Sequence, residues 1–246
     1  MEVKPLDVQL SVSSQFDPDQ NVIFSFPTPL AKVDTAAIHL YAKHDTLWYR
    51  APMEFLPLEN RKYELRGEWR PDIEYSLEVD SAAFEDIYGL ASKPIKQGFK
   101  VNSLDTYGTL LVNITSLHDL PLMVQLLDAQ DKMVKETKTV NGVAEFYYLK
   151  PQKYYMRLIV DRNNNGKWDT GNYDSDQQAE EVYYYPEAIE CKAKWDLTES
   201  WDPLVRELSL QKPGAITKQK PDKEKKVKNQ NVQRAAKLGI QYVPKM

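Results

Sequence analysis

VKETKTVNGVAEFYYL, residues Val134 to Leu149, decides the fold. Two runs of strand-forming residues flank Asn141-Gly142, a dipeptide that supplies the positive φ values of a tight two-residue turn, so the stretch reads as a β-hairpin. The same texture continues outward. Upstream, Tyr107 to Ile114 and Leu122 to Leu127 read as strands; downstream, KPQKYYMRLIVD (150–161) reads as a turn and a strand. Glu181 to Tyr185 and Ala188 to Trp195 follow as the last two strands, the second placing Ile189, Cys191, Ala193 and Trp195 on one face. Cys191 on that face is expected to be a buried core residue.

Toward the N-terminus the alternation recurs in Val8 to Ser14, Asn21 to Phe26, Ala37 to Ala42, Leu47 to Ala51, Lys62 to Leu65 and Glu74 to Val79. Pro27 and Pro29 end the second of these, because proline cannot donate to a ladder. Short strands at spacings of roughly 8 to 12 residues predict β-sandwich architecture. Composition agrees: 15 tyrosines outnumber 7 phenylalanines and 9 glycines. A chain of 246 residues, at roughly 100 to 200 residues per domain, is expected to be all-β with two sandwich modules, at 5–103 and 106–200.

The net charge of −4 hides an asymmetry. Residues 211–246 hold ten Lys and Arg against two acids, a surplus of eight that leaves the first 210 residues at −12. This basic segment is expected to be a largely flexible tail with a short helix at 231–239, capped by Asn231 and stopped by Gly239. Its one aromatic, Tyr242, and the acidity of the rest argue against nucleic acid as a partner. One cysteine excludes an internal disulfide framework. MEVKPLDVQL has no basic stretch followed by an apolar one, so no signal peptide is expected in this chain, and any membrane association is expected through an anchor outside it.

FSFPTPLAKVDTAAIHLY (24–41), with its Phe-x-x-Pro turn and Val-Asp step, and SAAFEDIYGLAS (81–92) resemble strands and a loop of bacterial Ig-like domains from surface-layer and envelope proteins. The hairpin, strand and Asp-x-Asn-x-Asn-Gly order resembles prealbumin-like modules such as carboxypeptidase regulatory domains. RLIVDRNNNGKWDTGNYDSDQQAEEVYYYP (157–186) with KWDLTESWDP (194–203) resembles the C-terminal half of uncharacterised, Ig-like-domain-containing lipoproteins of Gram-negative bacteria. The resemblance implies an extracytoplasmic location in the cell envelope or outer membrane, envelope proteins or glycans as partners, and a chain that is part of a longer precursor.

Within that stretch lies the one arrangement of oxygen-bearing side chains with usable spacing. Asp161, Asn163, Asn165 and Asp169 occupy positions 1, 3, 5 and 9 of a twelve-residue loop, with Gly166 at the sharp turn and the Lys167 carbonyl at position 7. The spacing predicts a hard-cation site for Ca²⁺. Asn172 stands where a bidentate glutamate would close the loop, so Asp174 or Asp176 is needed as a substitute, and affinity is expected in the weak range of about 10⁻⁴ to 10⁻³ M. The same residues equally serve a metal-free loop of Asx-turns with Trp168 capping the core.

His39, His44 and His118 are scattered, and no nucleophile or phosphate-loop motif accompanies them, so the chain reads as non-catalytic. Glu180 and Glu181 read as a solvated pair. The tyrosines at 147, 148, 154, 155 and 183–185 are expected to alternate inward and outward, which would leave an outer set near the loop for glycan or peptide binding. The expected role is structural, adhesive or display, with glycan or peptide binding as the alternative.

Overall fold

The structure, a computed structural model, describes residues 4–117, 119–217, 234 and 237–239. His118 and most of the helix expected at 231–239 lie outside the described residues. The first strands are β1 (Gln9–Leu10), β2 (Gln15–Phe16), β3 (Val22–Ser25), β4 (Leu30–Val33), β5 (Ile38–His44) and β6 (Leu47–Arg50). They are followed by β7 (Met53–Leu58), β8 (Lys62–Gly67), β9 (Glu74–Val79), β10 (Phe84–Asp86) and β11 (Ile95–Val101). One sheet runs β1-β3-β8-β7, a second runs β2-β11-β9-β5-β6, and β10 pairs with β4. Alternation explains the packing between them: Val22, Phe24, Ile38, Leu40, Leu65, Leu77 and Val101 turn inward and are at most 1 % exposed. Five of these strands, β2, β4, β7, β10 and β11, have no counterpart among the strand ranges expected from the sequence. β4 follows the Pro27-Pro29 break directly, and β7 carries Pro57, which a sheet edge tolerates because no neighbour needs its missing N–H.

The second unit comprises β12 (Gly108–Ile114), β13 (Leu122–Leu127), β14 (Met133–Lys138), β15 (Val143–Leu149) and β16 (Gln152–Val160), then β17 (Val182–Tyr184), β18 (Ile189–Cys191) and β19 (Asp196–Trp201). Its sheets run β15-β12-β19 and β14-β13-β16-β17, with β18 on the first half of β16. The Asn141-Gly142 turn forms as expected, with φ of 52° and 78° and reciprocal Val140–Val143 bonds of 2.9 and 3.0 Å. The hairpin does not continue beyond that bridge. β14 pairs with β13 and β15 with β12, so the turn is a corner between facing sheets, with the arms diverging across the core.

The last strand is β19, parallel to β12, where the sequence reading ends at Trp195. Lys194 adopts φ of 62° in the turn between β18 and β19, which throws Trp195 out to solvent at 46 % exposure. Cys191 is buried as expected, and burial pushes its thiol pKa up, so it stays protonated and unreactive. It packs where Gly108 has no side chain. A Cβ on Gly108 would sit 2.6 Å from Cys191 Sγ and 2.7 Å from the Lys192 carbonyl oxygen, so the close approach of β12 to this turn requires glycine.

Residues 202–217 cover the outer face of β13 and β16. Gln211 donates to the carbonyls of Pro203 and Arg206 and accepts from Tyr184 N–H; Lys212 pairs with Asp131 at 2.7 Å; Ile216 is 2 % exposed against Leu127 and Tyr155. The expected tail at 211 therefore opens with a docked segment. Its anchor explains why all six residues of β13 are buried: both faces of the strand are covered.

The units meet at a buried carboxylate. Asp17, just after β2, is 7 % exposed and accepts from Tyr107 Oη at 2.6 Å, Asn102 Nδ2 at 3.1 Å and Lys150 Nζ at 2.6 Å. Lys135 reaches Asp19 alongside. The connection between the units is short: Asn102 N–H is held by the Phe16 carbonyl, and a 3₁₀ turn at Leu104–Thr106 is capped by Ser103.

Gly108→Ala is expected to lower unfolding stability by about 1–3 kcal/mol through overpacking, read as a fall in urea midpoint. Gly108→Ala with Cys191→Ala should recover only part of that loss, because the Lys192 carbonyl still clashes.

Candidate functional site

β16 runs into the 161–174 loop and delivers Asp161, whose carboxylate is almost completely buried at 1 % exposure. Oδ1 accepts from Asn165 N–H at 2.9 Å and Oδ2 from Gly166 N–H at 2.8 Å. Asn163 Oδ1 accepts from Asn165 N–H at 3.1 Å, and Asn165 Oδ1 from Lys167 N–H at 2.8 Å. These are Asx-turns in series. They wind the chain around positive φ at Asn164 (56°) and Gly166 (75°), conformations that Asn and Gly adopt at low cost.

The amide nitrogens of Asn163 and Asn165 both donate to Asp169 Oδ2, the second at 2.8 Å. The loop thus gathers Asn163, Asn165 and Asp169 directly, with Asp161 bonded to the backbone of the same turn and the Lys167 backbone at its end. Asp174 is set apart. It sits in an exposed turn closed by the Asn172–Gln177 bridge, where its own N–H donates to Asn172 Oδ1.

Two residues that shape the loop were not legible as such. Glu180, read as solvated, is 8 % exposed and closes the loop. Its Oε1 accepts from Arg162 N–H at 2.8 Å and its Oε2 from Asp169 N–H at 3.0 Å, while its own N–H donates to the Asp169 carbonyl. Trp168 donates Nε1–H to the Glu180 carbonyl and lies 46 % exposed, so it braces the loop and does not cap the core. Next to it, Arg162 grips both carboxylate oxygens of Glu181, and this hydrogen bonding holds the Glu181 carboxyl below its ordinary pKa. Lys138, at the end of β14, donates to Asn164 Oδ1 at 2.7 Å and lies 3.7 Å from Asp161 Oδ2. A protein cation therefore already faces the carboxylate. Neither contact was readable locally, because the partners lie 11 to 26 residues apart.

The tyrosines do not alternate as expected. Tyr147 and Tyr148 are both exposed, because Tyr148 adopts φ of 57° where the β12–β15 register shifts and the alternation breaks. Tyr154 and Tyr155 are both buried, since β16 is covered on both faces. Tyr184 lies beneath Lys212, and Tyr185 is tied to Glu199 and edge-on to Trp201. Within the loop, Tyr173 stands clear at 99 % exposure. His39 meets Asp80 at 3.2 Å on the first unit, and His44 packs edge-on to Tyr49.

No protein-family model matches the chain, and no curated protein matches it. Among solved structures it is similar to native α-2-macroglobulin from Escherichia coli, spanning domains MG0-NIE-MG1, at 10% identity and TM-score 0.35, covering 74% of this chain and 78% of that one. It is also similar to BcpA, the major pilin subunit of Bacillus cereus, at 12% identity and TM-score 0.26, covering 80% and 69%. A third, the Bacillus anthracis TIE protein, shows 8% identity and TM-score 0.25, covering 82% and 41%. Likenesses this low bear on nothing the chain does. Its own geometry defines an all-β protein of two units with a self-ordered polar loop.

Glu180→Ala is expected to cost about 2 kcal/mol, because a buried carboxylate and the two partly buried backbone hydrogen bonds it accepts are lost, whereas Asp174→Ala should stay within about 0.5 kcal/mol. Thermal melts of the two variants check the difference.

Proposed function

We propose that the chain is a non-catalytic structural or display part of a bacterial cell-envelope protein, with modules at 5–103 and 106–200 and a weak Ca²⁺ staple at 161–169. The observation that carries the structural reading is the Asp17 joint. A flexible tether would leave the linker and the facing surfaces solvated; here a buried carboxylate from one unit takes two neutral donors and an ammonium from the linker and the other unit. Such a joint sets the units in one relation, which suits a spacer or a presenting arm. The envelope setting is supported by the sequence resemblance of residues 24–41, 81–92 and 157–203, and envelope proteins or glycans are the partners it suggests.

The Ca²⁺ staple is supported by the donor set. Asp161 and Asp169 carboxylates, Asn163 and Asn165 carboxamides and the Lys167 carbonyl are all hard oxygen donors, suited to Ca²⁺ and unsuited to soft metals. Rotating the two carboxamides would turn oxygens toward Asp169 in place of nitrogens. Lys138 opposes a cation, and Asp174 contributes nothing to the gathered set, which agrees with weak affinity. Millimolar Ca²⁺ is expected to raise the melting temperature by a few degrees, with Asp161→Ala removing the shift and Lys138→Met enlarging it. No shift in the unmodified protein would sink the staple.

The joint carries its own pH signature. Burial alone would raise the Asp17 pKa, but hydrogen bonds from Lys150, Tyr107 and Asn102 overcome it and hold the value below the ordinary 3.8. The stabilisation is thus complete above about pH 3.8 and disappears as pH falls through the lowered value. Tyr107 behaves oppositely: burial and its bond to Asp17 raise its pKa above 10.0, so its contribution is complete below pH 10 and is lost at higher pH. Calorimetry is expected to show one coupled transition near neutral pH and two separate ones once the pH has fallen below the lowered Asp17 value. Separate transitions at pH 7 would refute a fixed spacer.

A further inference from the structure

We propose that β6 (Leu47–Arg50) is a dimerisation edge, which pairs antiparallel with β6 of a second copy of this chain and joins the two β2-β11-β9-β5-β6 sheets into one. β6 ends its sheet. The phase of its ladder says which main-chain groups are open. Ala51 N–H donates to the Leu40 carbonyl at 2.8 Å, and the register sets Ala42 opposite Tyr49 and His44 opposite Leu47. Hydrogen-bonded pairs alternate along an antiparallel ladder. Leu47 and Tyr49 therefore turn their N–H and C=O groups toward β5, while Trp48 and Arg50 turn theirs outward. Two donors and two acceptors face away from the sheet.

A strand is what such a row binds, and the other edges of the larger sheets are closed to one. β1 and β2 have two residues each, and β7 holds Pro57. β14 carries Lys135 and Lys138, and β19 carries Asp196 and Glu199. Lys135 Nζ occupies the Tyr147 carbonyl on β15, and Gln211 Oε1 occupies the Tyr184 N–H on β17. Shortness, proline, charge and covering side chains are the devices that keep edges from pairing. β6 has neither proline nor cover, and its Leu47, Trp48 and Tyr49 are 60, 47 and 52 % exposed. Its one charge, Arg50, makes no ion pair among the described residues.

That charge selects a second copy as the occupant, because the edge is complementary to itself. Pairing about a two-fold axis at Tyr49 sets Trp48 opposite the second copy's Arg50, and Arg50 opposite its Trp48, and joins all the outward N–H and C=O groups in four hydrogen bonds. Each guanidinium then lies across from an indole on the outer face, within reach of a cation–π contact. Lys43, 5.9 Å from the Trp48 ring centroid, is already paired with Glu74 at 2.7 Å and adds no unmatched charge there. On the other face Tyr49 meets Tyr49 and Leu47 meets Ala51, which covers side chains now exposed. A slip of two residues in one direction sets Arg50 against Arg50; in the other it sets Arg50 against Thr46, in the turn where Asp45 has φ of 53°. Four residues make a small interface, below about 1,200 Å² in total, so the dimer is expected to be weak and reversible.

Sedimentation velocity on the full chain from about 1 μM to about 1 mM is expected to show monomer passing to dimer. Hydrogen exchange at the Trp48 and Arg50 amides should slow as dimer fills, while the Leu47 and Tyr49 amides, already bonded to β5, change little. Arg50→Pro removes an outward N–H and leaves the β5 ladder whole; it should keep the melting temperature within a few degrees and raise the dimer Kd by about tenfold or more. Tyr49→Cys reads the register. The two thiols face each other at the axis and are expected to cross-link under mild oxidation, whereas those of Trp48→Cys, offset by two residues, should cross-link far more slowly. A monomer at every concentration, a dimer indifferent to Arg50→Pro, or faster cross-linking in Trp48→Cys than in Tyr49→Cys would each overturn the proposal.

Discussion

A single buried carboxylate governs how this chain is assembled. Each β-unit closes its own core, and nothing in either core requires the other unit. Their mutual setting depends on Asp17, which brings a charge to 7 % exposure and would be costly there without Tyr107, Asn102 and Lys150. Tyr107 does double duty: its hydroxyl completes the joint while its ring packs edge-on to Tyr148, 5.8 Å away. The left-handed backbone at Tyr148 is thereby explained as packing, since it turns the ring toward the joint and the Lys135 ammonium.

The same logic of a polar group made permissible by its partners recurs in the second unit. Gln211 is 3 % exposed with three hydrogen bonds and seals the outer side of β17. Glu180 and Asp161 are buried carboxylates whose acceptors are filled by backbone N–H groups, which gives the 161–169 loop its shape before any cation is considered. A Ca²⁺ ion in this setting would tighten an arrangement already made, and would have to do so against Lys138.

The fold was legible where apolar residues, alternating or continuous, are bounded by marked turns. Glu74–Val79, Leu122–Leu127 and Val143–Leu149 match their sequence patterns at both ends, because one or both faces are apolar and the turns are marked. Reading failed where a single backbone torsion overrode the pattern. The alternation Ile189, Cys191, Ala193, Trp195 continues on paper, but Lys194 in the left-handed region ends the strand and starts another. Tyr147–Tyr148 failed for the same reason, and Tyr154–Tyr155 failed because 202–217 folds back as a second cover, a long-range event no local window contains. At the loop, the spacing identified Asp161, Asn163, Asn165 and Asp169 as neighbours, since Asx-turn chemistry is local. Glu180, Lys138 and the Asp17 joint were invisible because their partners are distant in the chain, up to 133 residues for Asp17 and Lys150.

The central claim is that the Asp17 joint fixes the two units in one relation. Residual dipolar couplings measured for both units in a single weakly aligned sample near neutral pH test it most directly. A single alignment tensor fitting the couplings of both units, and splitting into two in Asp17→Ala, is the result this account predicts. Two tensors of different magnitude in the unmodified protein would contradict it.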